Sequence, residues 1–282
     1  MDVRVVLDGR RPSDSVVLAL NEGLSSERVT LCLHRRSSGS ACIGDKINHN
    51  KFFLFSELTD GSVNVVVQSS ANLNLGQVSR HNNMVIARGN DDMYGFYLDY
   101  WDDLQAAGLD PAYFHSHRSG PLKAYFFPRA SGDTILNIIG NIHCDPGTSH
   151  RTRVRVAMAF FADGRVEVAR ALAEKKRQGC SVRVIIGSYD RSPGAQVASV
   201  LRAAGVPLIV TNGASPNVHS KYMLIEGRYA SGTAVDQLVF TGSHNYNRSA
   251  LRRNDEVLLR VADSDVFDAF LRNWRTIRDQ NR

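Results

Sequence analysis

One short pattern occurs twice in this chain and limits its fold more than any other feature. A histidine and a lysine, two residues apart, open an apolar or aromatic run in NHNKFFLFSE (residues 48–57) and again in VHSKYMLIEG (residues 218–227). Each run is followed by a second apolar segment, and these segments end in QSSANLN (68–74) and TGSHNYN (241–247). Several elements that recur in the same order indicate that the chain consists of two equivalent halves.

The spacing within this repeat is nearly constant. His49 and His219 are 170 residues apart, and Asn72 and Asn245 are 173 residues apart, so the copies differ by three residues in one loop. Apolar runs typical of strands alternate with helical patterns in both halves, which predicts an α/β fold with mixed sheets. Ser192-Pro193, an N-cap followed by proline, predicts the start of one of these helices.

The two halves differ at their beginnings. The segment GPLKAYFFPRASGDTILNIIG (120–140) predicts a strand, a turn and a helix that start the second half, so we predict two lobes, residues 1–119 and 120–282. The second lobe also has a strand, RVRVAMAFF (153–161), and an amphipathic helix near 163–178, without a counterpart in the first. The first lobe is therefore predicted to lack its first strand and helix. Either the chain starts late, or another segment covers the sheet edge that these elements would cover.

Composition bears on the partners and the location. The net charge of +6 and the pI near 9.3 favour an anionic partner, such as a phosphate-bearing substrate, nucleic acid or an acidic lipid surface. The chain has no apolar window long enough to span a membrane and no signal-peptide pattern, so it is predicted to be secreted only if a signal peptide lies upstream, and otherwise cytoplasmic. Cys32 and Cys42 close a loop if the protein is exported and are free thiols if it is not.

The recurring residues are of the types that phosphodiester cleavage requires. They are His49, Lys51 and Asn72 in the first half and His219, Lys221 and Asn245 in the second. If the halves pack face to face, the lysines supply positive charge to the non-bridging phosphate oxygens, and the asparagines add neutral donors. One imidazole can attack phosphorus while the other protonates the leaving alkoxide. The sequence shows no carboxylate cluster that would hold a metal, so no metal and no cofactor are predicted.

This set of motifs resembles the phospholipase D superfamily, in which His-x-Lys is followed by an acidic position and then by Gly/Ser-Ser-x-Asn. The resemblance covers essentially the whole chain. It implies two α/β/α lobes related by a pseudo-twofold axis, with one active site at their interface, a covalent phosphohistidine intermediate and no cofactor. The acidic position is Glu226 in the second motif but Ser56 in the first, which departs from the pattern of the family.

The resemblance also implies a residue, after each Ser-x-Asn, that orients an imidazole of the opposite lobe. Glu256 and Asn83 stand at the matching positions. A carboxylate on the far ring nitrogen stabilises the imidazolium that forms on attack. If Glu256 contacts His49, His49 is therefore the nucleophile and His219 the acid. The residues predicted to bind the substrate are Ser70, Asn83, Ser243 and His244.

The substrate is less well defined than the reaction. The favoured substrate is a phospholipid whose head-group phosphodiester is cleaved, with peripheral contact to the membrane. The reason is that this chain carries both motifs, whereas the simpler nucleases of the superfamily are one-motif chains that dimerise. Two motifs in one chain also predict a monomer. One alternative is a metal-independent endonuclease, which the net positive charge would suit. Another is a catalytically weak module that binds lipid or nucleic acid.

Overall fold

The computed structural model of this 282-residue chain describes residues 2–33, 39–144, 151–211 and 216–282. The α-helices in these residues are α1 (Ser15–Leu24), α2 (Asp91–Ala106), α3 (Thr134–Gly140), α4 (Val166–Arg177), α5 (Ala195–Ala203), α6 (Arg248–Arg252) and α7 (Ser264–Gln280). The strands of the first half are β1 (Val5–Asp8), β2 (Val29–Cys32), β3 (Phe52–Glu57), β4 (Val63–Ser69), β5 (Arg80–His81), β6 (Met84–Ala87) and β7 (His115–Ser119). The remaining strands are β8 (Leu122–Phe127), β9 (Arg153–Met158), β10 (Ser181–Ile186), β11 (Leu208–Val210), β12 (Asn217–Val218), β13 (Lys221–Gly227), β14 (Asp236–Gly242) and β15 (Glu256–Val261).

An eight-stranded mixed sheet forms the centre of the larger part of the molecule. Its order is β11-β10-β9-β13-β14-β15-β8-β7; β9, β10 and β11 run parallel to one another, and the remaining neighbours are antiparallel. The central strand β13 is apolar on both faces and almost entirely buried, which its run of tyrosine, methionine, leucine and isoleucine favours. The predicted mixed α/β fold is thus confirmed.

Helices α3, α4 and α5 cover one face of this sheet. Helix α4 begins and ends close to the predicted bounds, and it buries Val168 and Leu172, four residues apart, against the sheet. The predicted start of α5 at Ser192-Pro193 is wrong. The helix begins after Gly194, and the carboxylate of Asp163 accepts the N–H of Val197 at 3.0 Å. Because Asp163 supplies this cap from another segment, local sequence could not indicate it.

A three-stranded antiparallel sheet, in the order β3-β4-β6, belongs to the first half. Helix α2 packs on one face of this sheet and also contacts β7 and β8 of the larger sheet, so one apolar core joins the two halves. The other face carries the exposed side chains of Phe53, Phe55, Met84 and Ile86. In the described residues no strand pairs with the outer edge of β3, and the missing first strand and helix of the first half stay a prediction.

The predicted boundary after residue 119 falls inside a hairpin. Strand β7 pairs with β8 in register His115↔Phe126 to Ser119↔Leu122, so β7 belongs to the larger sheet although it precedes the boundary. The reason is local. A short turn joins the two strands at Gly120, whose positive φ of 54° suits a tight connection. The division into residues 1–119 and 120–282 therefore remains a prediction, and the sheet itself would place the division before β7.

Two disulfides and one buried carboxylate hold loops in position. Cys32 is bonded to Cys42, and Cys144 to Cys180, so the loop closure considered for Cys32 and Cys42 is present. Asp255 is fully buried next to the first of these disulfides. Its Oδ2 accepts the N–H of Cys42 at 2.6 Å, and its Oδ1 accepts those of Ile43 at 3.2 Å and Gly44 at 2.6 Å. Asp255 therefore fixes a loop of the first half to a strand of the second.

Replacing this carboxylate is expected to destabilise the whole protein. Asp255→Asn keeps one carbonyl oxygen but turns an amide N–H₂ toward backbone N–H groups, so at least one buried donor loses its partner. We expect the free energy of unfolding to fall by about 2–4 kcal/mol. Urea denaturation, followed by circular dichroism, measures this change. The exposed Asp268→Asn is the matched control, and a loss for Asp255→Asn no larger than that of the control would contradict the expectation.

Candidate active site at the junction of the two halves

The two histidine–lysine pairs have the same local geometry. His49 and Lys51 precede β3, and His219 and Lys221 stand at the start of β13. In each pair the lysine Nζ donates to the carbonyl oxygen of the histidine two residues earlier, at 2.7 Å. This bond turns each lysine side chain back toward its own histidine. Each motif thus presents one imidazole and one ammonium group together.

Each histidine is held by the opposite half of the chain. The backbone N–H of His49 donates to the carbonyl of Asp255 at 3.0 Å, and that of His219 donates to the carbonyl of His81 at 2.9 Å. The short strands β5 and β12 pair in parallel beside this second contact. Each half of the chain therefore positions the histidine of the other half through a backbone hydrogen bond.

The ring nitrogens of the two histidines have different partners. His49 Nδ1 lies 2.9 Å from Glu256 Oε2, and the Glu256 carboxylate is fully buried. Asn254 Nδ2 donates to the other oxygen of Glu256 at 3.0 Å and fixes its orientation. His219 Nδ1 lies 3.0 Å from Asn82 Oδ1. One imidazole therefore faces an acid and the other a neutral amide.

The structure corrects the predicted partner of His219, which is Asn82 and not Asn83. Asn83 instead donates from Nδ2 to Thr241 Oγ1 at 2.6 Å and accepts the N–H of Lys221 at 3.0 Å. The error comes from one residue of loop length. Ser70 bonds to the backbone N–H 13 residues later, whereas Ser243 bonds to the one 14 residues later, so a constant offset of 173 shifts the alignment by one. The neighbouring Asn82 was the signal that sequence reasoning missed.

Hydrogen bonds define which nitrogen of each imidazole is free. Asn82 Nδ2 donates to the carbonyl of Gln77 at 3.1 Å, so its Oδ1 is directed at His219 and accepts a hydrogen bond from Nδ1–H. Lys221 Nζ lies farther from the same nitrogen, at 3.3 Å. Glu256 likewise accepts from Nδ1 of His49. Both rings therefore keep Nε2 available for chemistry.

The site has an excess of positive charge. Burial lowers the pKa of Lys51 to about 8 and that of Lys221 well below its ordinary value, and the charge of Lys51 lowers the latter further. Burial, followed by the charges of Lys221 and Lys51, lowers the pKa of His219 to about 2. Arg80, which the sequence reasoning did not include, adds to this effect. A bound anion would relieve the repulsion between these groups.

Glu256 is the acidic group that faces these cations. Burial alone raises its pKa, but the charge and hydrogen bond of His49, with smaller contributions from His244 and Lys51, leave the pKa lower than usual. Burial is also the largest effect on His49, and its pKa is lowered although Glu256 opposes the change. The pair therefore rests as carboxylate and neutral imidazole near neutral pH. In this state Nε2 of His49 carries a free lone pair.

The hydroxyls of Ser70 and Ser243 are engaged inside the protein. Ser70 Oγ donates to Asn82 Oδ1 at 3.1 Å and accepts the N–H of Asn83 at 2.9 Å. Ser243 Oγ accepts the N–H of Val257 at 3.0 Å. Both serines are fully buried, so the structure gives them a positioning role, in contrast to the substrate contact that was predicted.

Gly242 makes the second of these connections possible. Its φ is +143°, and a Cβ atom there would lie 2.3 Å from the carbonyl oxygen of Val257. Any side chain would push β14 and β15 apart at the site. The glycine in this Gly-Ser-x-Asn segment is therefore required by a close backbone approach.

The remaining predicted residues are Asn72, in the first Ser-x-Asn segment, and His244 and Asn245, in the second. Asn72 is partly buried, and the side-chain oxygen of Asn245 is buried with no hydrogen-bond partner among the described residues. Both ring nitrogens of His244 are likewise without a partner in the described part of the chain. Burial lowers the pKa of His244 to about 3, so this ring is neutral. The donor role of the asparagines and the substrate contact of His244 stay predictions.

The acidic position of the second motif is not at the site. Glu226 binds Arg153 at 2.7 Å and Arg155 at 3.2 Å near the far end of β13. Ser56, its counterpart in the first motif, is exposed on β3. Because Glu226 forms ion pairs near the far end of β13, the serine at the matching position removes no group from the neighbourhood of the histidines.

One group of potential metal ligands occurs within the described residues. It consists of Cys32, Cys42 and Asp255, whose ligand atoms lie within 4.8 Å of one another. The two sulfurs are joined in a disulfide, and the carboxylate accepts three backbone N–H groups, so these residues do not fit a metal ion. None of the helices in the described ranges is both long and apolar enough to cross a bilayer.

Comparisons with known proteins agree with this architecture. Residues 148–277 match the family described as "Cardiolipin synthase, PLD-like domain". Mitochondrial cardiolipin hydrolase of Danio rerio is 25% identical over 166 residues, which are 57% of this chain and 65% of that protein. The chain therefore spans less than two thirds of the length of this curated relative.

Solved structures extend the similarity to the whole chain. The phosphatidylserine synthase of Haemophilus influenzae Rd KW20 superposes with a TM-score of 0.65 at 13% identity, over 100% of this chain and 74% of that one. Polyphosphate kinase of Porphyromonas gingivalis superposes with a TM-score of 0.55, also at 13% identity, over 97% of this chain and 40% of that one. The sequence match to a PLD-like domain covers residues 148–277, in the second half, and the solved structures show a similar fold over the whole chain.

Proposed function

We propose that this protein cleaves the head-group phosphodiester of phospholipids through a covalent phosphohistidine. The observation that supports the reaction type is the pair of histidines, of which His49 contacts Glu256 and His219 contacts Asn82, together with two buried lysines. A phosphodiester supplies the negative charge that this cluster lacks. The lysines would hold its non-bridging oxygens, and no metal is needed for that task.

The first step would use His49 as the nucleophile. The lone pair on Nε2 attacks phosphorus, the bond from phosphorus to the head-group oxygen breaks, and its electron pair passes to that oxygen. The ring then carries a positive charge that the carboxylate of Glu256 stabilises through Nδ1–H. Asn82 offers His219 no such charge, so the two histidines are unequal and His49 is the better nucleophile.

His219 would protonate the leaving head-group oxygen from Nε2. Its pKa is low because the ring is buried and because the charges of Lys221 and Lys51 lower it further, and the negative charge of a bound phosphodiester opposes these cations and raises the pKa. The acid would therefore become protonated only when substrate is present. In the second step, neutral His219 takes a proton from water, the water oxygen attacks phosphorus, and the P–N bond breaks with its electrons returning to His49.

A loop at the rim of the site favours a lipid substrate. Residues 73–79 leave the site at Asn72 and return to it at Arg80, and three aliphatic side chains on this loop are almost wholly exposed: Leu73 at 84%, Leu75 at 90% and Val78 at 85%. Clustered apolar side chains of this kind are costly in water and are typical of contact with a membrane or partner. The proteins named cardiolipin hydrolase and phosphatidylserine synthase, to which this chain is similar, also act on phospholipids by name.

Removing the apolar side chains of this loop is expected to weaken binding to vesicles and to leave the turnover of a soluble substrate unchanged. The triple variant Leu73→Ser, Leu75→Ser, Val78→Ser should bind phosphatidylcholine vesicles about 10²- to 10⁴-fold more weakly, because each inserted side chain contributes roughly 1–2 kcal/mol. Its turnover of a soluble aryl phosphodiester should stay within about twofold of the wild type, because the three side chains are almost wholly exposed to solvent. Vesicle flotation and chromogenic turnover measure the two effects.

The matched control replaces three exposed aliphatic residues elsewhere, namely Val16, Leu18 and Leu109, with serine. This control should bind vesicles like the wild type. If the loop variant and the control behave alike toward vesicles, the loop does not contact lipid. Flotation reads out membrane contact even if the protein turns over no substrate.

Parallel assays distinguish the substrate classes. The protein is incubated with phosphatidylcholine vesicles, plasmid DNA and an aryl phosphodiester, each with and without EDTA. We expect choline and phosphatidic acid from the vesicles, and phosphatidylethanol when ethanol is added, with no effect of EDTA. Cleavage of DNA without cleavage of lipid would identify the endonuclease instead, and binding without any turnover would identify a binding module.

A further inference from the structure

Five arginine side chains surround one pocket at the end of the large sheet that lies away from the histidines. The pocket has a volume of about 160 Å³, and its lining residues are Arg153, Arg155, Ser181, Arg183, Trp274, Arg275 and Arg278. On β9, Arg153 is five positions before Met158, which pairs with Lys221 of the site. At about 3.3 Å per residue, the pocket therefore lies roughly 17 Å from the catalytic lysine.

Strand alternation and helix periodicity build this pocket. Arg153 and Arg155 are two residues apart on β9 and point to the same face of the sheet. They pair in register with Ser181 and Arg183 of β10, so all four side chains share that face. Helix α7 crosses the same face and anchors itself through Trp274, whose Nε1 donates to the carbonyl of Val156 at 3.2 Å.

The helix supplies the other wall of the pocket. Arg275 and Arg278 are three residues apart and lie on neighbouring positions of the α7 surface. The guanidinium of Arg278 stands over the Trp274 ring, 5.7 Å from its centre. The pocket thus has an indole on one side and guanidinium groups around its mouth.

Carboxylates neutralise only part of this charge. Glu226 is shared by Arg153 and Arg155, at 2.7 and 3.2 Å, and Asp279 pairs with Arg278 at 2.8 Å. Arg183 and Arg275 form no ion pair with any residue in the described ranges. Arg155 is the most enclosed of the group, with 15% of its side chain exposed. Guanidinium groups keep their charge, so the crowding remains unless an anion enters.

We propose that this pocket binds a phosphate group, as inorganic phosphate or as the end of a phosphomonoester, at a site separate from the two histidines. Guanidinium forks match the oxygens of a phosphate in bidentate pairs, and a dianion offsets the two unpaired arginines. The volume lies below the range of roughly 300–1,000 Å³ of drug-sized ligand sites, so the pocket holds the phosphate group itself and not a large organic part. This site does not depend on the proposed reaction.

Calorimetric titration of the full chain with inorganic phosphate at low salt tests this site. The double variant Arg183→Gln, Arg275→Gln removes the two unpaired arginines and leaves the ion pairs of Glu226 and Asp279 in place. We expect the wild type to titrate with two classes of phosphate site, since the two-lysine cluster also attracts anions. The variant should bind phosphate at one class of site as tightly as the wild type, and at the other class at least about tenfold more weakly.

The matched control is Arg202→Gln, Arg272→Gln, which removes the same charge from exposed positions outside the pocket. The control should titrate like the wild type. If the Arg183/Arg275 variant titrates like the wild type, or if the control loses phosphate as strongly, no specific phosphate site exists in the pocket. The single variant Arg183→Gln, with an expected loss of the same sign, tests the site again if the double variant folds poorly.

A second pair of measurements identifies the source of the phosphate group. Vesicle flotation compares phosphatidylcholine with and without phosphatidic acid, whose head group is a phosphomonoester, and titration with glycerol 3-phosphate represents a soluble one. Selective loss of flotation on phosphatidic acid in the Arg183/Arg275 variant assigns a lipid head group. Loss of the soluble ligands with unchanged flotation assigns a soluble phosphate. Turnover of the aryl phosphodiester should not change in either case, which separates this pocket from the reaction.

Discussion

His49→Ala is expected to abolish turnover almost completely. The variant lacks the Nε2 lone pair that would form the bond to phosphorus, and no other group in the site is held by a buried carboxylate in the same way. We expect kcat/KM for a soluble aryl phosphodiester to fall by about 10⁴-fold. Steady-state turnover measures this loss, and the exposed His117→Ala, whose ring pairs with Asp92, is the control.

A comparison with His219→Ala separates the two roles. An aryl oxide leaves without help from an acid, so His219→Ala should still form the phosphohistidine and then release it slowly. Rapid mixing should therefore show a stoichiometric burst of the phenol in His219→Ala and none in His49→Ala. A burst in His49→Ala and none in His219→Ala would reverse the assignment of nucleophile and acid.

Glu256→Gln is expected to have the second largest effect. The amide keeps the shape of the side chain but cannot stabilise the positive charge that forms on His49, so kcat should fall by between about 10²- and 10⁴-fold. Glu256 also raises the pKa of His49 against the effect of burial. Its removal lowers that pKa further, so the ring is neutral at still lower pH. The acid limb of the pH profile of kcat/KM should therefore move to lower pH.

This shift distinguishes a role in the reaction from a role in folding. A variant that is only destabilised loses active protein at every pH and keeps the shape of its profile. Asn254→Ala, which removes the donor to the other oxygen of Glu256, is the matched control, because the carboxylate remains. It should reduce kcat less and leave the acid limb nearly in place. An unchanged acid limb in Glu256→Gln would show that the carboxylate does not act on His49.

Much of the fold and of the site could be predicted because its signals are local. His49, Lys51, His219 and Lys221 stand where an apolar strand begins, and that pattern is visible in ten residues of each half. The mixed α/β fold and the resemblance to the phospholipase D superfamily are confirmed, and α4 lies close to its predicted bounds. The division into lobes and the roles of the site residues remain predictions.

The failures all involve contacts between segments distant in the chain. Asn82 replaces Asn83 because a loop is one residue shorter in the first half, and the pairing partner, His219, lies 137 residues away. The start of α5 depends on Asp163, 34 residues from the N–H that it accepts. Neither the cap nor the register can be read from a local pattern, because each is decided by how the elements pack.

The sequence by itself determined that two His-x-Lys motifs with Ser-x-Asn segments would meet in a mixed α/β fold, because strand and helix periodicities are properties of neighbouring residues. Only the tertiary structure decided which histidine faces a carboxylate, since Glu256 reaches His49 from 207 residues away. It also decided that the arginines of β9, β10 and α7 converge on one pocket. Such groupings follow from sheet register and helix packing, and these are set by the burial of the whole core rather than by any one segment.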